Sequence, residues 1–440
     1  MDFEYVTATD FDRAWLNFEL NLPLEVMSDG RPNPFYVDRP GNPVAQLERY
    51  LLRPFRQPPK YFFSGHRGCG KSTELRRVAV NPDICARYWP VHFTIKDEAD
   101  INNLDYKDVL LALGGQMFRK YKEQGGRLPD QLLKELDQWR GHVEEEVTIT
   151  PDRVAGREIE VRLEAFFVQA GLKSRLEPAT RTRLRQVIER DVTGLVQVIN
   201  DIATAIQARQ KRLPLVLIDD LDKPDLELAR SIFYEHREVM LQPLCAIVYT
   251  VSSALFYSPE FEAIRDRAVF LPNVRLHPAG QPDRPDSKGY QTMRLFVHKR
   301  MEPELITPEA LDRAIRASGG VFREMCRVMR HAVDRAQVAG RSRIEVKDVE
   351  LAEAEIRGEY RRILTAEQRK LLRHVRACNR LDEPDKIAPL LQILAVLEYA
   401  NGEPWCDAHP ALYRLLDEDE VSDESPSTGS GPGPGENRAG

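Results

Sequence analysis

The stretch Tyr61-Phe62-Phe63-Ser64-Gly65-His66-Arg67-Gly68-Cys69-Gly70-Lys71-Ser72-Thr73 decides how this chain is read. Tyr61 to Phe63 form a short apolar strand, a glycine-rich loop follows, and Thr73 to Ala79 pattern as a helix. Gly65, Gly70, Lys71 and Ser72 meet the spacing G-x-x-x-x-G-K-[ST]. Each residue type has a physical reason. Glycines let consecutive backbone N–H groups turn toward one phosphate, and the N-terminus of the next helix adds its dipole. Lys71 supplies a compact positive charge to the β- and γ-phosphates, and the Ser72 hydroxyl suits Mg²⁺. The whole loop, Gly65, His66, Arg67, Gly68, Cys69, Gly70, Lys71, Ser72 and Thr73, is therefore the expected phosphate site.

Downstream, Leu213-Pro214-Leu215-Val216-Leu217-Ile218-Asp219-Asp220-Leu221-Asp222 is an aliphatic run ending in acids. It reads as a buried parallel strand whose carboxylates emerge at the ligand edge of an α/β sheet. Asp219 is placed to hold Mg²⁺ opposite Ser72, and Asp220 to orient or deprotonate an attacking water. Further strands are expected at Val91–Ile95, Cys245–Ser253 and Ala268–Val274. The long separation between Lys71 and Asp219 implies a helical insertion between about 105 and 210. Leu184, Val187, Ile188, Val192, Leu195, Ile199, Ile202 and Ile206 form one core-facing helical stripe within it.

Composition sets outer limits. A chain of 440 residues, 42% hydrophobic and 30% charged, is that of a globular protein with two or three domains. A net charge of −6 gives no global attraction for nucleic acid or an anionic membrane. No apolar run approaches the length of a transmembrane helix, and no secretory signal is legible at the N-terminus. Scattered cysteines at 69, 85, 245, 326, 378 and 406 have no metal spacing and fit reduced thiols in a cytoplasm.

The expected divisions follow. Residues 1–35 are an N-terminal helix and connector, and 36–280 are the phosphate-loop domain. Residues 281–355 form a helical lid, in which Thr307-Pro308-Glu309 is a helix start and Ser318-Gly319-Gly320 a break. Arg323 lies in the first helical turn after that break, where a cation is unfavourable unless an anion meets it. Residues 356–416 pattern as helix, helix and a hairpin turning at Asn401-Gly402, a winged-helix-like module. Its wing carries no base, whereas Arg369, Lys370, Arg373, Arg376 and Arg380 cluster on or beside its first helix; a solvated face is the commoner meaning of such a run. Residues 417–440 read as a disordered acidic, Gly/Pro-rich tail.

With these motifs in this order, residues 35–416 resemble the AAA+/STAND side of the P-loop ATPases, including origin-recognition-type ATPases and bacterial STAND or NACHT-like switch proteins. The resemblance implies an α/β fold: a five-stranded parallel sheet flanked by helices, with the P-loop strand central, a helical lid and a C-terminal winged helix. It implies ATP and Mg²⁺ as cofactors, Thr250 or Ser252 as the γ-phosphate sensor, and Arg323 as the lid sensor. It also places Tyr36 and Val37 beside adenine, with core packing as the alternative. Arg265 or Arg267 is either a finger offered to a neighbouring subunit or a surface arginine. Asp220, where motors of this class carry Glu, fits a slowly hydrolysing switch. The expected role is a nucleotide-controlled switch or assembly regulator in bacterial signalling or anti-phage defence, working as a homo-oligomer or with a separate effector protein. The alternative is a DNA-binding ATPase of replication, repair or mobile elements.

Overall fold

A computed structural model of the chain describes residues 3–27, 30–147, 159–171, 177–401 and 403–424. Five parallel strands form the main sheet: β1 (Lys60–Gly65), β2 (Tyr88–Thr94), β3 (Leu213–Asp219), β4 (Ala246–Val251) and β5 (Ala268–Leu271). Their order is β2-β3-β4-β1-β5, so β4 occupies the centre. This corrects the expectation of a central P-loop strand: β1 is interior but lies next to the edge. The register sets Thr94 beside Asp219, Ile218 beside Tyr249 and Ser64 beside Val251, so all the strands deliver their C-terminal ends to one edge. That common edge is where an open α/β sheet receives ligands.

Alternation along the strands divides the core in two. Phe63, Leu213, Leu215, Leu217, Ala246 and Val248 face the helices Ala45–Leu52 and Lys71–Val80. Phe62, Val216, Ile218, Ile247, Tyr249 and Val251 face the other way, onto the residues that join β2 to β3. Those residues build the helices Tyr106–Glu123, Asp130–Val147, Ile159–Gly171, Pro178–Arg190 and Val192–Gln210. The inserted helices therefore form the covering layer of one sheet face. The apolar stripe expected as a single helix is two. Asp191 interrupts it with φ −131° and ψ 47°, and its carboxylate accepts from Gly194 N–H to start the second helix.

A third core joins parts of the chain that sequence divided. Phe11, Ala14 and Phe18 of the N-terminal segment pack with Met293, Val297, Met325 and Met329 of the lid helices, and the same cluster continues to Leu372, Leu390, Leu412 and Leu416. Ala8 exchanges backbone hydrogen bonds with Arg300 and Glu302, and Asn17 Nδ2 donates to Arg300 O. In the C-terminal module, helices Ala366–Cys378 and Pro384–Gln392 precede a hairpin of β6 (Val396–Asn401) and β7 (Glu403–Ala408). The Gly402 position of its expected turn lies outside the described residues.

The expected boundary at 417 falls inside a helix, Tyr413–Glu424, and the rest of the predicted tail lies outside the described residues. Leu415 and Leu416 anchor this helix in the core, while Asp419 pairs with Arg369 and Arg373 and Asp417 with Arg376. Much of the basic stripe is thus neutralised within the chain. Among the described residues no helix is long and apolar enough to cross a membrane.

The lid docks on the segment after β5 through Gly320, whose N–H donates to Ser318 Oγ while its carbonyl accepts from Val274 N–H. Its φ is +74°, and an added Cβ would stand 1.8 Å from Val274 O. Gly340 has a similar φ of +66° but open space around it. Gly340→Ala should cost about 1–2 kcal/mol for the left-handed backbone alone, and Gly320→Ala should cost more than about 4 kcal/mol. Thermal melting of the two variants compares them directly; equal shifts would mean that the lid contact contributes nothing.

Candidate functional site

The glycine-rich loop leaves β1 and is held from outside as well as within. Gly68, at φ +79°, lies so close to the lid that an added Cβ would stand 2.3 Å from Arg323 Cβ. Arg323 N–H donates to Gly68 O at 3.3 Å. On the loop's other flank, His66 is fully buried, and its Nε2 accepts the Glu398 backbone N–H of β6 at 2.8 Å. Burial, and next the Lys71 charge, push the His66 pKa down to about 3, so the ring is neutral and can accept.

Lys71 opens the helix Lys71–Val80 and is only 5% exposed. Its ammonium donates to Gly65 O at 2.7 Å and His66 O at 3.0 Å, and pairs with Asp222 Oδ2 at 2.8 Å. Burial is the largest single influence and opposes the charge, but Asp222, Cys69 and Asp219 together hold the pKa above the ordinary value. Across the sheet edge, Asp219 is hydrogen-bonded by Ser72 and accepts Asp220 N–H at 2.8 Å. Burial and the neighbouring Asp220 raise its pKa, Ser72 lowers it, and Asp222 raises it again, with a net rise. Asp220 adopts φ +66°, and its Oδ2 pairs with Lys223 at 2.8 Å and Lys96 at 3.3 Å. Oxygens of Asp219, Asp220 and Asp222 lie within 4.8 Å of one another. Three carboxylates this close repel, and a hard divalent cation fits such an oxygen set.

These groups line a cavity of about 240 Å³. Of the residues singled out in the sequence, Arg67, Gly68, Gly70, Lys71, Ser72, Thr73, Asp219, Asp220, Arg323, Tyr36 and Val37 line it. Gly65 and His66 do not line it; their carbonyls receive the Lys71 ammonium. Cys69 turns its sulfur into the core behind the loop, 1% exposed, and its N–H donates to His66 O. Thr250 and Ser252 are not lining residues. Thr250 Oγ1 accepts Leu221 N–H at 2.9 Å and donates to Ile218 O at 3.2 Å, tying β4 to the acidic loop. Ser252 caps the helix Ser253–Phe256 by accepting Ala254 N–H. Arg265 and Arg267 are both exposed away from the cavity, and Arg265 pairs with Glu262 at 2.8 Å.

Other lining residues carried no assigned role in the sequence. Asp222 was visible as the last acid of its run. Arg39 directly follows the extended Tyr36–Asp38 segment. Its guanidinium sits 4.8 Å over the Phe322 ring and bonds Pro272 O, while Nη2 is buried without a partner. Arg300 is 3% exposed, stacks on Phe296, and donates to the carbonyls of Phe35 and Phe296. Burial lowers its pKa to about 10. Asn17 and residues 19–24 close one side of the cavity, and no short motif marks them. Arg67 and Arg323 share the opening; burial and then the Arg67 charge lower the Arg323 pKa. The cavity thus has a cationic wall facing a carboxylate cluster, the two charges that a Mg²⁺–triphosphate presents in reverse.

No family model matches the chain, and no curated protein matches it. Among solved structures it is similar to Drosophila ORC bound to DNA, at 10% identity and a TM-score of 0.41, covering 94% of each chain. It is similar to Cdc6p from Pyrobaculum aerophilum at 10% identity and a TM-score of 0.37, covering 90% of this chain and 100% of that one. The RuvB Holliday junction branch migration motor of Thermotoga maritima gives 12% identity and a TM-score of 0.34, with coverages of 91% and 99%. At these scores the reading of the site rests on its own geometry.

The buried histidine makes stability sensitive to acid. Folded His66 stays neutral to about pH 3, whereas an unfolded histidine protonates near 6.5, so its contribution is lost as pH falls below about 6.5. Glu398 works oppositely: burial raises its carboxyl from 4.5 to about 7, so its contribution is lost as pH rises through that window. His66→Gln keeps an acceptor for Glu398 N–H but removes the first effect. The variant should lose about 2 kcal/mol less than the wild type between pH 6.5 and 5, measured by thermal melting. Parallel pH profiles would show that His66 is not held neutral.

Proposed function

We propose that this chain binds ATP with Mg²⁺ and hydrolyses it slowly, as a nucleotide-controlled switch. The observation that carries this reading is the buried Lys71 ammonium at the base of a cavity walled by the phosphate loop, the acidic strand end, the N-terminal segment and the lid. Ser72, Asp219 and Asp222 would hold the cation, which would supply charge neutralisation at the phosphates. Lys71 and the loop amides would bind the phosphates, with Arg67 and Arg323 over them. Asp220 would orient water once free of its lysines. Tyr36 and Val37 would adjoin the base.

The size of the cavity favours a switch over a passive site. About 240 Å³ is below the roughly 300–1,000 Å³ of common small-molecule sites, so a nucleoside triphosphate enters only if a wall yields. The walls are elements that also touch one another: Arg323 contacts Gly68, and His66 holds the wing. Occupancy would therefore change how lid and wing sit on the loop, with self-assembly or an effector protein as the output. Arg265 and Arg267, exposed near β5, remain available to a neighbouring subunit. A cytoplasmic role in bacterial signalling or anti-phage defence fits this reading. A nucleic-acid role would need the arginines now paired with Asp417 and Asp419 to be released.

Calorimetry with Mg·ATP should register binding to the wild type, none to Lys71→Ala, and near-normal binding to Asp220→Asn. That last variant should release no phosphate. Light scattering should give different masses or radii with ADP and with a non-hydrolysable ATP analogue. Absence of binding heat in the wild type would end this reading.

A further inference from the structure

A lysine ammonium has three N–H donors, and Lys71 commits them to Gly65 O, His66 O and Asp222 Oδ2. None is left for a phosphate. The Asp222 bond is charge-assisted and lies between side chains 5% and 9% exposed, so it is the strongest of the three. Asp222 also belongs to the carboxylate cluster. Within that cluster Asp220 has Lys96 and Lys223, and Asp219 has Ser72 and a backbone amide. For Asp222 the balancing charge among the described residues is Lys71. Phosphate and Asp222 therefore compete for one ammonium, and a carboxylate displaced into that cluster requires another positive charge.

We propose that Asp222 is a latch that makes nucleotide binding conditional on a divalent cation. Without the cation Asp222 holds Lys71. With it, Asp222 turns to the cation beside Asp219 and Ser72, and the ammonium is free for phosphate. The proposal rests on the nucleotide reading above and adds a regulation that the reading does not require. By linkage the effect is reciprocal: whatever removes the ammonium should tighten the cation. A merely structural ion pair would instead change nucleotide affinity by the same factor with and without metal.

The test compares ADP dissociation constants in EDTA and in excess Mg²⁺, by calorimetry, for the wild type and Asp222→Asn. The wild type should show a large ratio between the two conditions. In the variant the ratio should shrink at least tenfold, because ADP binds more tightly in EDTA. An unchanged ratio overturns the latch while leaving nucleotide binding intact. A second arm needs neither nucleotide nor a folded Asp222 variant: Mn²⁺ binding to the nucleotide-free protein, followed by electron paramagnetic resonance. Lys71→Met should bind Mn²⁺ at least tenfold more tightly than the wild type. Equal Mn²⁺ affinities overturn the proposal, whatever the first arm gives.

Discussion

A single buried ammonium group organises this molecule. Taking a charge out of water is costly unless close partners replace the lost solvation. Lys71 meets that requirement with two carbonyls from the end of β1 and one carboxylate from the loop after β3. These strands are not neighbours; β4 lies between them. The ion pair therefore spans the sheet edge, and Thr250, bridging Ile218 O and Leu221 N–H, holds the intervening strand to the same loop. The parallel topology matters here because only parallel strands bring all these ends to one side.

The second level of organisation is the clasp around the loop. Lid, wing and N-terminal segment share one hydrophobic core, so they move as a body more readily than separately. That body touches the loop at His66 through Glu398 N–H, at Gly68 through Arg323, and at Gly70 through Arg39, whose Nη2 stands 3.0 Å from where a Gly70 Cβ would be. The groups proposed to meet phosphate and the inter-module contacts are thus interleaved along the same few residues. A ligand that altered the loop's backbone would therefore also alter the contacts that the body makes with it.

Local patterns in the chain were readable; long-range placements were not. The strand–loop–helix at Tyr61–Ala79, the capped helix at Thr307 and the acidic strand end each follow from residues within a few positions of one another, and each stands where expected. The single stripe through residues 184–206 misled because hydrophobic period alone does not register a cap. Asp191, followed by Gly194 three positions on, was the missed local sign. Arg39, Arg300 and Asn17 could not be assigned from sequence. Their roles come from a fold that lays the N-terminal segment and the lid over the same opening. From residue 417 the helix over 413–424 reads as tail by composition, yet Leu415 and Leu416 just before that point anchor it in the core and the arginines of a distant helix offset its acids.

Asp220 shows how the same charges fix the conformation of the acidic loop. Its carboxylate is held by Lys223 and Lys96, and its backbone sits at φ +66°, a conformation tolerated by Asp and Asn but strained for most residues. Two ammonium groups on one carboxylate occupy acceptor sites that a ligand or a water would otherwise use. Glu in its place would carry the charge one methylene further from the same backbone. The shorter side chain reaches both lysines from this backbone. Any group that took Asp220 as a partner would first have to displace Lys96 and Lys223, so access to this carboxylate is a conformational step.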